Sequence, residues 1–310
     1  MAMQKAVDIV LSSEHPTSKV AACLFKDDQY VCHINQWPQV IKDHYPLDQK
    51  FGNSSGTIHA ETACIVDAYF ATAGASLAIT DPFCPNCAKN IAEAGIKTIY
   101  VDHKGFQKDF FVRREHEFKN MSMRIIEKAG ISVYEIWRKE ERLVPILEVG
   151  DDYVPAQDNP IEIDKIVEAN SQSFDKLIHQ KSQKFAGRKI AICLAKDEDD
   201  RIFGITARSH AAMGYQISED KEQLFNTDGK YSFKLEPTNR LVMNAPRLGL
   251  KIIEGYVYCS QVPTAREQVN MIGAGISKIY IGDMKRARDD SALEAMQMFS
   301  TSSVLQFMTL

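Results

Sequence analysis

The chain has 310 residues, 45% of them hydrophobic and 25% charged, with seven cysteines and a formal net charge of −4. That length suits two domains of ordinary size, each able to bury a core, and excludes a disulfide-stapled miniprotein. The charge divides evenly, 17 basic against 19 acidic residues in 1–150 and 20 against 22 in 151–310, so a nucleic-acid polymer is not the expected partner while a single nucleotide is allowed.

The opening "MAMQKAVDIVLSSEHP" lacks the apolar core and small-residue cleavage site of an export signal. No apolar run approaches the roughly 20 residues of a membrane span. Cys23, Cys32, Cys64, Cys193 and Cys259 sit in apolar runs and are expected as core residues of a cytoplasmic protein.

In chain order, "MQKAVDIVLSS" has helical spacing and "KVAACLFKDDQYVCHIN" predicts two strands joined by an Asp-Asp turn. A polar loop follows to Thr57. "TIHAETACIVDAYFATAG" then predicts a helix ended by Gly74. "SLAIT" is a strand, "CAKNIAEAG" a helix, "IKTIYVD" a strand, "MSMRIIEKAG" a helix and "ISVYEIW" a strand. This alternation predicts a sheet with parallel members and helices on both faces. "VPILEVGDDYVPAQDNP", with three prolines and an acidic cluster, is the expected linker.

The second half repeats the first. "GAGISKIYIGD" echoes "EAGIKTIYVD", and "KIAICLAKDEDDRIFGITA" echoes "KVAACLFKDDQYVCHIN", with "DKIVEANSQSFDKLI" in the place of the first helix. "GYVYCSQVPTAREQVNMIGAG" lies over "ASLAITDPFCPNCAKNIAEAG", which puts Thr264 on Cys84 and Glu267 on Cys87. Anchoring Thr238 on Thr57 puts Arg240 on His59 and Val242 on Glu61. The expected units are therefore 1–142, a linker 143–160, and 161–310. The His210-Ala211 pair is read as accidental.

The chemistry lies in the first half. Cys84 and Cys87 stand at the mouth of a helix, whose N-terminus favours thiolate over thiol. Taken alone, two cysteines at this spacing are a redox pair, part of a zinc site, or inert core thiols. His59, 25 residues upstream at the start of its own helix, offers a third zinc ligand and leaves a fourth position for water. His33, His44 and His103 are the outside candidates for a fourth protein ligand. Glu61, two residues beyond His59, is rotated about 200° from it on a helix. That suits a carboxylate moving protons beside the metal.

"HAE" followed by "PFCPNC" resembles the signature of the cytidine deaminase-like zinc-dependent superfamily. "CAKNIAEAGIKTIYV", "INQWP" and "SKVAACLF" resemble its deoxycytidylate (dCMP) deaminase branch over most of 1–137. The resemblance implies an α/β fold of two tandem α-β-α domains, each a roughly five-stranded mixed sheet with helices on both faces. It implies one Zn²⁺ per chain, held by His59, Cys84 and Cys87 in the first domain only, with Glu61 as the catalytic proton carrier. Asn35 would contact the sugar or base, the Ala60 backbone would read the base edge, and Phe83 would lie near the ring. Trp37 is carried as a stacking candidate against a packing reading. Lys19, Lys42, Arg113 and Arg114 are candidates for phosphate.

The implied activity is hydrolysis of a C–N bond in a cyclic amidine, cytosine to uracil in a free nucleotide or nucleoside. The alternatives are a deaminase of RNA or single-stranded DNA and a non-enzymatic nucleotide sensor. The second domain is expected as a non-catalytic copy, and two chains as a homodimer that forms a pseudo-tetramer of domains. "ALEAMQMFSTSSVLQFMTL" at the end is expected to pack between domains rather than subunits.

Overall fold

A computed structural model describes residues 1–157, 161–216 and 232–310. The last three residues of the expected linker, 158–160, lie outside the described residues.

The first half contains the helix α1 (Ala2–Ile9), the hairpin β1 (Ala21–Lys26) and β2 (Gln29–Ile34), and then α2 (Ala60–Val66), β3 (Ser76–Ile79), α3 (Pro85–Glu93), β4 (Thr98–Asp102), α4 (Met123–Lys128), β5 (Ser132–Trp137) and β6 (Arg142–Leu147). The six strands form one sheet in the order β2-β1-β3-β4-β5-β6. The three central strands β3, β4 and β5 run parallel, and β1, β2 and β6 are antiparallel to their neighbours. Asp27, at φ +51°, makes the two-residue turn of the first hairpin.

The second half runs β7 (Glu162–Ile166), α5 (Ser171–Lys184), β8 (Ile190–Lys196), β9 (Ile202–Arg208), α6 (Pro237–Arg247), β10 (Lys251–Cys259), α7 (Ala265–Gly273), β11 (Lys278–Ile281), α8 (Asp290–Thr301) and β12 (Gln306–Thr309). Its sheet order is β12-β11-β10-β8-β9-β7. The five strands β9-β8-β10-β11-β12 repeat β2-β1-β3-β4-β5, and each half adds a sixth strand at the opposite edge. The "DKI" piece expected within a helix, 164–166, is part of β7. The helix begins at Ser171, behind an Asn170 cap that accepts from Ser173 N while the Ser173 hydroxyl reaches the Asn170 backbone.

Both strand faces are buried, which is why these strands read as nearly continuous apolar runs. Ala21 and Cys23 face α1, while Ala22 and Leu24 face the opposite side. Likewise Ile190, Ile192 and Leu194 face α5, while Ala191, Cys193 and Ala195 face inward. The two inward faces and the helices between them, α2 to α4 and α6 to α8, form one continuous apolar core. The chain is thus layered as α1, first sheet, shared helices, second sheet, α5.

Cys23 and Cys32 depart from the expectation of two core thiols. They stand opposite each other in the β1–β2 register, with Cα atoms 4.0 Å apart, and are joined as a disulfide. The helix expected to reach Gly74 stops at Val66. Beyond it the chain turns to meet the second half, where Thr72 N donates to Pro246 O and Ala73 N to Arg247 O. The polar loop before Thr57 contains a helical turn, Gln39–His44, and a hairpin of Lys50–Phe51 with Ser54–Ser55.

The C-terminal apolar stretch packs within the chain. Phe299 of α8 stacks on Phe51 at 4.3 Å between ring centroids, and the Tyr45 hydroxyl donates to Met298 O at 2.6 Å. Gly52, in the turn of the Lys50–Ser55 hairpin, has φ +54°, and a Cβ there would meet Ser291 O at 2.2 Å. We expect Gly52→Ala to cost about 1–3 kcal/mol, because strain at positive φ and a clash with the other half act together. Urea unfolding checks this, and an unchanged midpoint would refute the close packing.

The repeat register is confirmed at one junction and corrected at the other. Ala21 N donates to Thr80 Oγ1 and Thr80 N to Ala21 O; Ile190 and Ser260 make the same two bonds. Ser260 therefore matches Thr80, and Thr264 and Glu267 match Cys84 and Cys87. Both Cys84 and Thr264 are helix N-caps. The α6 register differs by one helical turn. Gln36 bridges Ile58 two residues after β2 ends, as His210 pairs with Leu235 two residues after β9 ends. His59 thus matches Glu236 and Glu61 matches Thr238, not Arg240 and Val242. The sequence spacing misled because α6 has 11 residues where α2 has seven, so matching Thr238 to Thr57 slid the helix by about a turn.

Candidate active site

Two helix starts build the site. The Gln36–Ile58 bridge delivers His59 as the N-cap of α2, with Glu61 in its first turn. After β3, Thr80-Asp81-Pro82-Phe83 turns the chain so that Cys84 caps α3, Pro85 occupies its first position and Cys87 its third. Asn90 Nδ2 donates to Thr62 Oγ1 at 3.1 Å, fastening the two helices together. His59 Nδ1 lies 3.2 Å from Cys87 Sγ and 3.7 Å from Cys84 Sγ. The three candidate ligand atoms fall within 4.8 Å of one another.

This donor set, one imidazole and two thiols converging at two positive helix ends, fits zinc. The Cys84 thiol is held well below the ordinary cysteine value by its hydrogen bond with Cys87, with His59 adding to the effect. Cys87 is pushed up by the same bond. By contrast, burial pushes Cys64 up to about 12, as expected of a core thiol.

Glu61 is 3% exposed. Burial raises its carboxyl above the ordinary value, His59 opposes that rise, and Cys84 adds to it. His33 pairs with Asp67, His44 bonds Val40 O and His103 pairs with Glu135. Among the described residues none of the three joins the His59-Cys84-Cys87 group.

His59, Glu61 and Cys84 line a cavity of about 580 Å³ together with Asn35, Arg113 and Arg114. Asn35 is tied down on every side: its Oδ1 accepts from Val20 N and Ser13 Oγ, and its Nδ2 donates to Ser18 O. Phe83 and Ala60 are buried just behind this wall, Phe83 against Phe118. Trp37 is buried beneath His15, their rings stacked at 5.7 Å. Of the four basic candidates, Arg113 and Arg114 line the cavity. Lys42 pairs with Glu14 instead, and Lys19 donates to Leu11 O.

Sequence reasoning missed His15, Thr17 and Ser18, which form part of the rim. The available signal was the polar run "SSEHPTS" between the first helix and first strand.

A second cavity, about 750 Å³, opens on the other side of His59, Cys84 and Cys87, between the two halves. Arg266, Asn270 and Arg288 of the second half line it.

The corresponding junction in the second half is bridged by a carboxylate. Thr264 and Glu267 form a capping box, and Glu267 Oε1 also accepts from Thr238 N and Asn239 N at the start of α6. One carboxylate therefore bridges two helix starts, where the first half converges two thiols and an imidazole. Glu236, in the place of His59, accepts from Ser209 Oγ and lies 3.6 Å from Lys189 Nζ. A cavity of only about 10 Å³ lies behind Glu267, while Glu236 and Thr264 also line the larger cavity between the halves.

No described helix is long and apolar enough to cross a membrane. Residues 1–103 match the family of the cytidine and deoxycytidylate deaminase zinc-binding region. An uncharacterized deaminase in the luxG 3′ region of Aliivibrio fischeri is 29% identical over 122 residues, covering 39% of this chain and 81% of that protein. Crystal structures of dCMP deaminase from the cyanophage S-TIM5 are 19% identical in complex with dCMP and dUMP and 20% in apo form. They cover 43% and 44% of this chain and 93% and 94% of theirs, at TM-scores of 0.33 and 0.30. Residues 1–103, which hold Glu61 and the His59-Cys84-Cys87 group, are thus similar to the cytidine and deoxycytidylate deaminase zinc-binding region.

Proposed function

We propose that the first half, 1–142, is a zinc-dependent hydrolytic deaminase of a free cytosine nucleotide or nucleoside, and that 161–310 is a non-catalytic copy. One observation carries this reading: a buried carboxylate, Glu61, stands beside a His-Cys-Cys cluster on the wall of a cavity large enough for a nucleotide. His59, Cys84 and Cys87 would hold the zinc, which when bound supplies Lewis-acid activation of water.

Glu61 accepts a proton from the attacking water and passes protons to the ring nitrogen and to the departing amine. Water adds to the amine-bearing carbon and ammonia leaves, so cytosine becomes uracil with atoms balanced. Burial supports the role, because a carboxyl raised above its ordinary value takes up a proton more readily. Asn35, Ala60 and Phe83 would shape the base and sugar site, with Trp37 supporting it through His15. Arg113 and Arg114, on the cavity wall, would receive a phosphate. A cytoplasmic location and the pairing of two chains into a pseudo-tetramer complete the proposal; a strictly monomeric 34.9 kDa species by light scattering would remove the pairing.

The test is a panel of cytosine, adenine and guanine nucleosides and nucleotides, followed by ammonia release and the ultraviolet change. Turnover is expected on cytosine compounds, and no turnover on any of them would overturn the reading. Metal analysis should find one zinc per chain. A chelator should abolish turnover, and added Zn²⁺ should restore it. Two zincs per chain would contradict the restriction to the first half.

A further inference from the structure

The second half reaches the segment just before His59 through Arg266. This residue occupies, in the confirmed repeat register, the place of Asn86 between Cys84 and Cys87. Its Nη1 donates to Thr57 O at 2.6 Å and its Nη2 to Ser55 Oγ at 3.2 Å. Ser55 Oγ in turn lies 2.9 Å from Thr57 Oγ1. Two residues beyond Thr57 is His59, and the intervening Ile58 is locked to Gln36 by bonds of 2.8 and 3.1 Å.

The same helix, α7, presses on that segment at its other end. A Cβ on Gly273 would lie 2.5 Å from Ile58 Cδ1, so α7 approaches this strand as closely as glycine allows. Arg266 also lines the cavity shared with His59, Cys84 and Cys87. Burial draws its guanidinium down, and the Cys84 and Cys87 thiols draw it back up.

We propose that Arg266 is a positioning residue for the metal centre, anchoring the Ser55–Thr57 backbone that delivers His59 and setting a fixed positive charge beside the two thiolates. The half of the chain without a His-Cys-Cys cluster would then keep a role in the chemistry of the half that has one. The planar fork matters as much as the charge, since the two hydrogen bonds diverge to a carbonyl and a hydroxyl. This inference rests on the zinc reading above.

The test compares full-length wild type, Arg266→Met, Arg266→Lys and Arg247→Met. Arg247 is a control because it also joins the halves, donating to Glu93 O, but contacts none of the metal-ligand candidates. Zinc affinity is measured by chelator competition. Arg266→Met should lose about 10–100-fold in affinity, the range for residues that orient metal ligands. Arg266→Lys should fall between it and wild type, and Arg247→Met should match wild type.

With Co²⁺ in place of zinc, the thiolate-to-cobalt absorption should shift in Arg266→Met and stay put in Arg247→Met. An unchanged affinity in Arg266→Met, or an equal loss in both variants, would overturn the inference. A wild-type protein that binds no zinc would instead overturn the metal reading itself.

Discussion

Glu61→Gln is expected to lower deamination by roughly 100- to 10,000-fold, the usual contribution of a positioned proton carrier, while the zinc content stays at the wild-type level. Glutamine keeps the volume at a site that is 3% exposed, so the His59, Cys84 and Cys87 geometry has no reason to collapse. What disappears is the capacity to take a proton from water and return it to the substrate. Ammonia release measures the first effect and metal analysis the second. Retained turnover would remove Glu61 from the mechanism.

Stability should move in the opposite direction. Burial raises the Glu61 carboxyl above its ordinary value in the folded chain, so the fold binds this proton more tightly than the unfolded chain does. Ionisation therefore costs stability above the folded value, and the cost vanishes as pH falls below the unfolded one. At pH 7 the metal-stripped Glu61→Gln protein should unfold at the same or a higher urea concentration than stripped wild type. A carboxylate buried at the expense of stability behaves this way.

Glu93→Ala should cost about 3–5 kcal/mol of folding stability, the penalty for leaving a buried charge without its partner. Glu93 closes α3 of the first half, Arg240 lies in α6 of the second, and each is 1% exposed. Glu93 Oε1 accepts from Arg240 Nε at 2.8 Å and from Asn244 Nδ2 at 2.7 Å. Arg240 Nη1 also donates to Arg208 O, so the guanidinium is fixed in place and cannot follow its lost partner to water.

The double variant Glu93→Met with Arg240→Met should recover most of the loss, because apolar side chains carry no desolvation penalty. Urea unfolding distinguishes the two. A loss below about 1 kcal/mol in Glu93→Ala would place this pair among weak surface bridges.

Arg240 also shows how the sequence misleads. Its alignment with His59 suggested a metal ligand replaced by a cation. In the structure it lies one turn further along α6 and belongs to the junction between the halves. A buried arginine on an apolar helix face is legible as something needing a partner, but Glu93 is 147 residues away and no local pattern points to it.

The sequence by itself determined the alternating α/β order, the duplication, and the four residues His59, Glu61, Cys84 and Cys87. These are short-range properties: apolar periodicity follows from which strand faces are buried, and the candidate ligands are set by spacing at two helix starts. Only the tertiary structure decided the rest. It joined Cys23 to Cys32, set Arg113 and Arg114 on the cavity wall and Lys42 on Glu14, bridged the second junction with Glu267, and brought Arg266 to Thr57 across 209 positions of chain. The physical reason is that two repeats share a single core. Their relative placement is a sum of many packing contacts between distant segments, and only that sum decides which side chains meet.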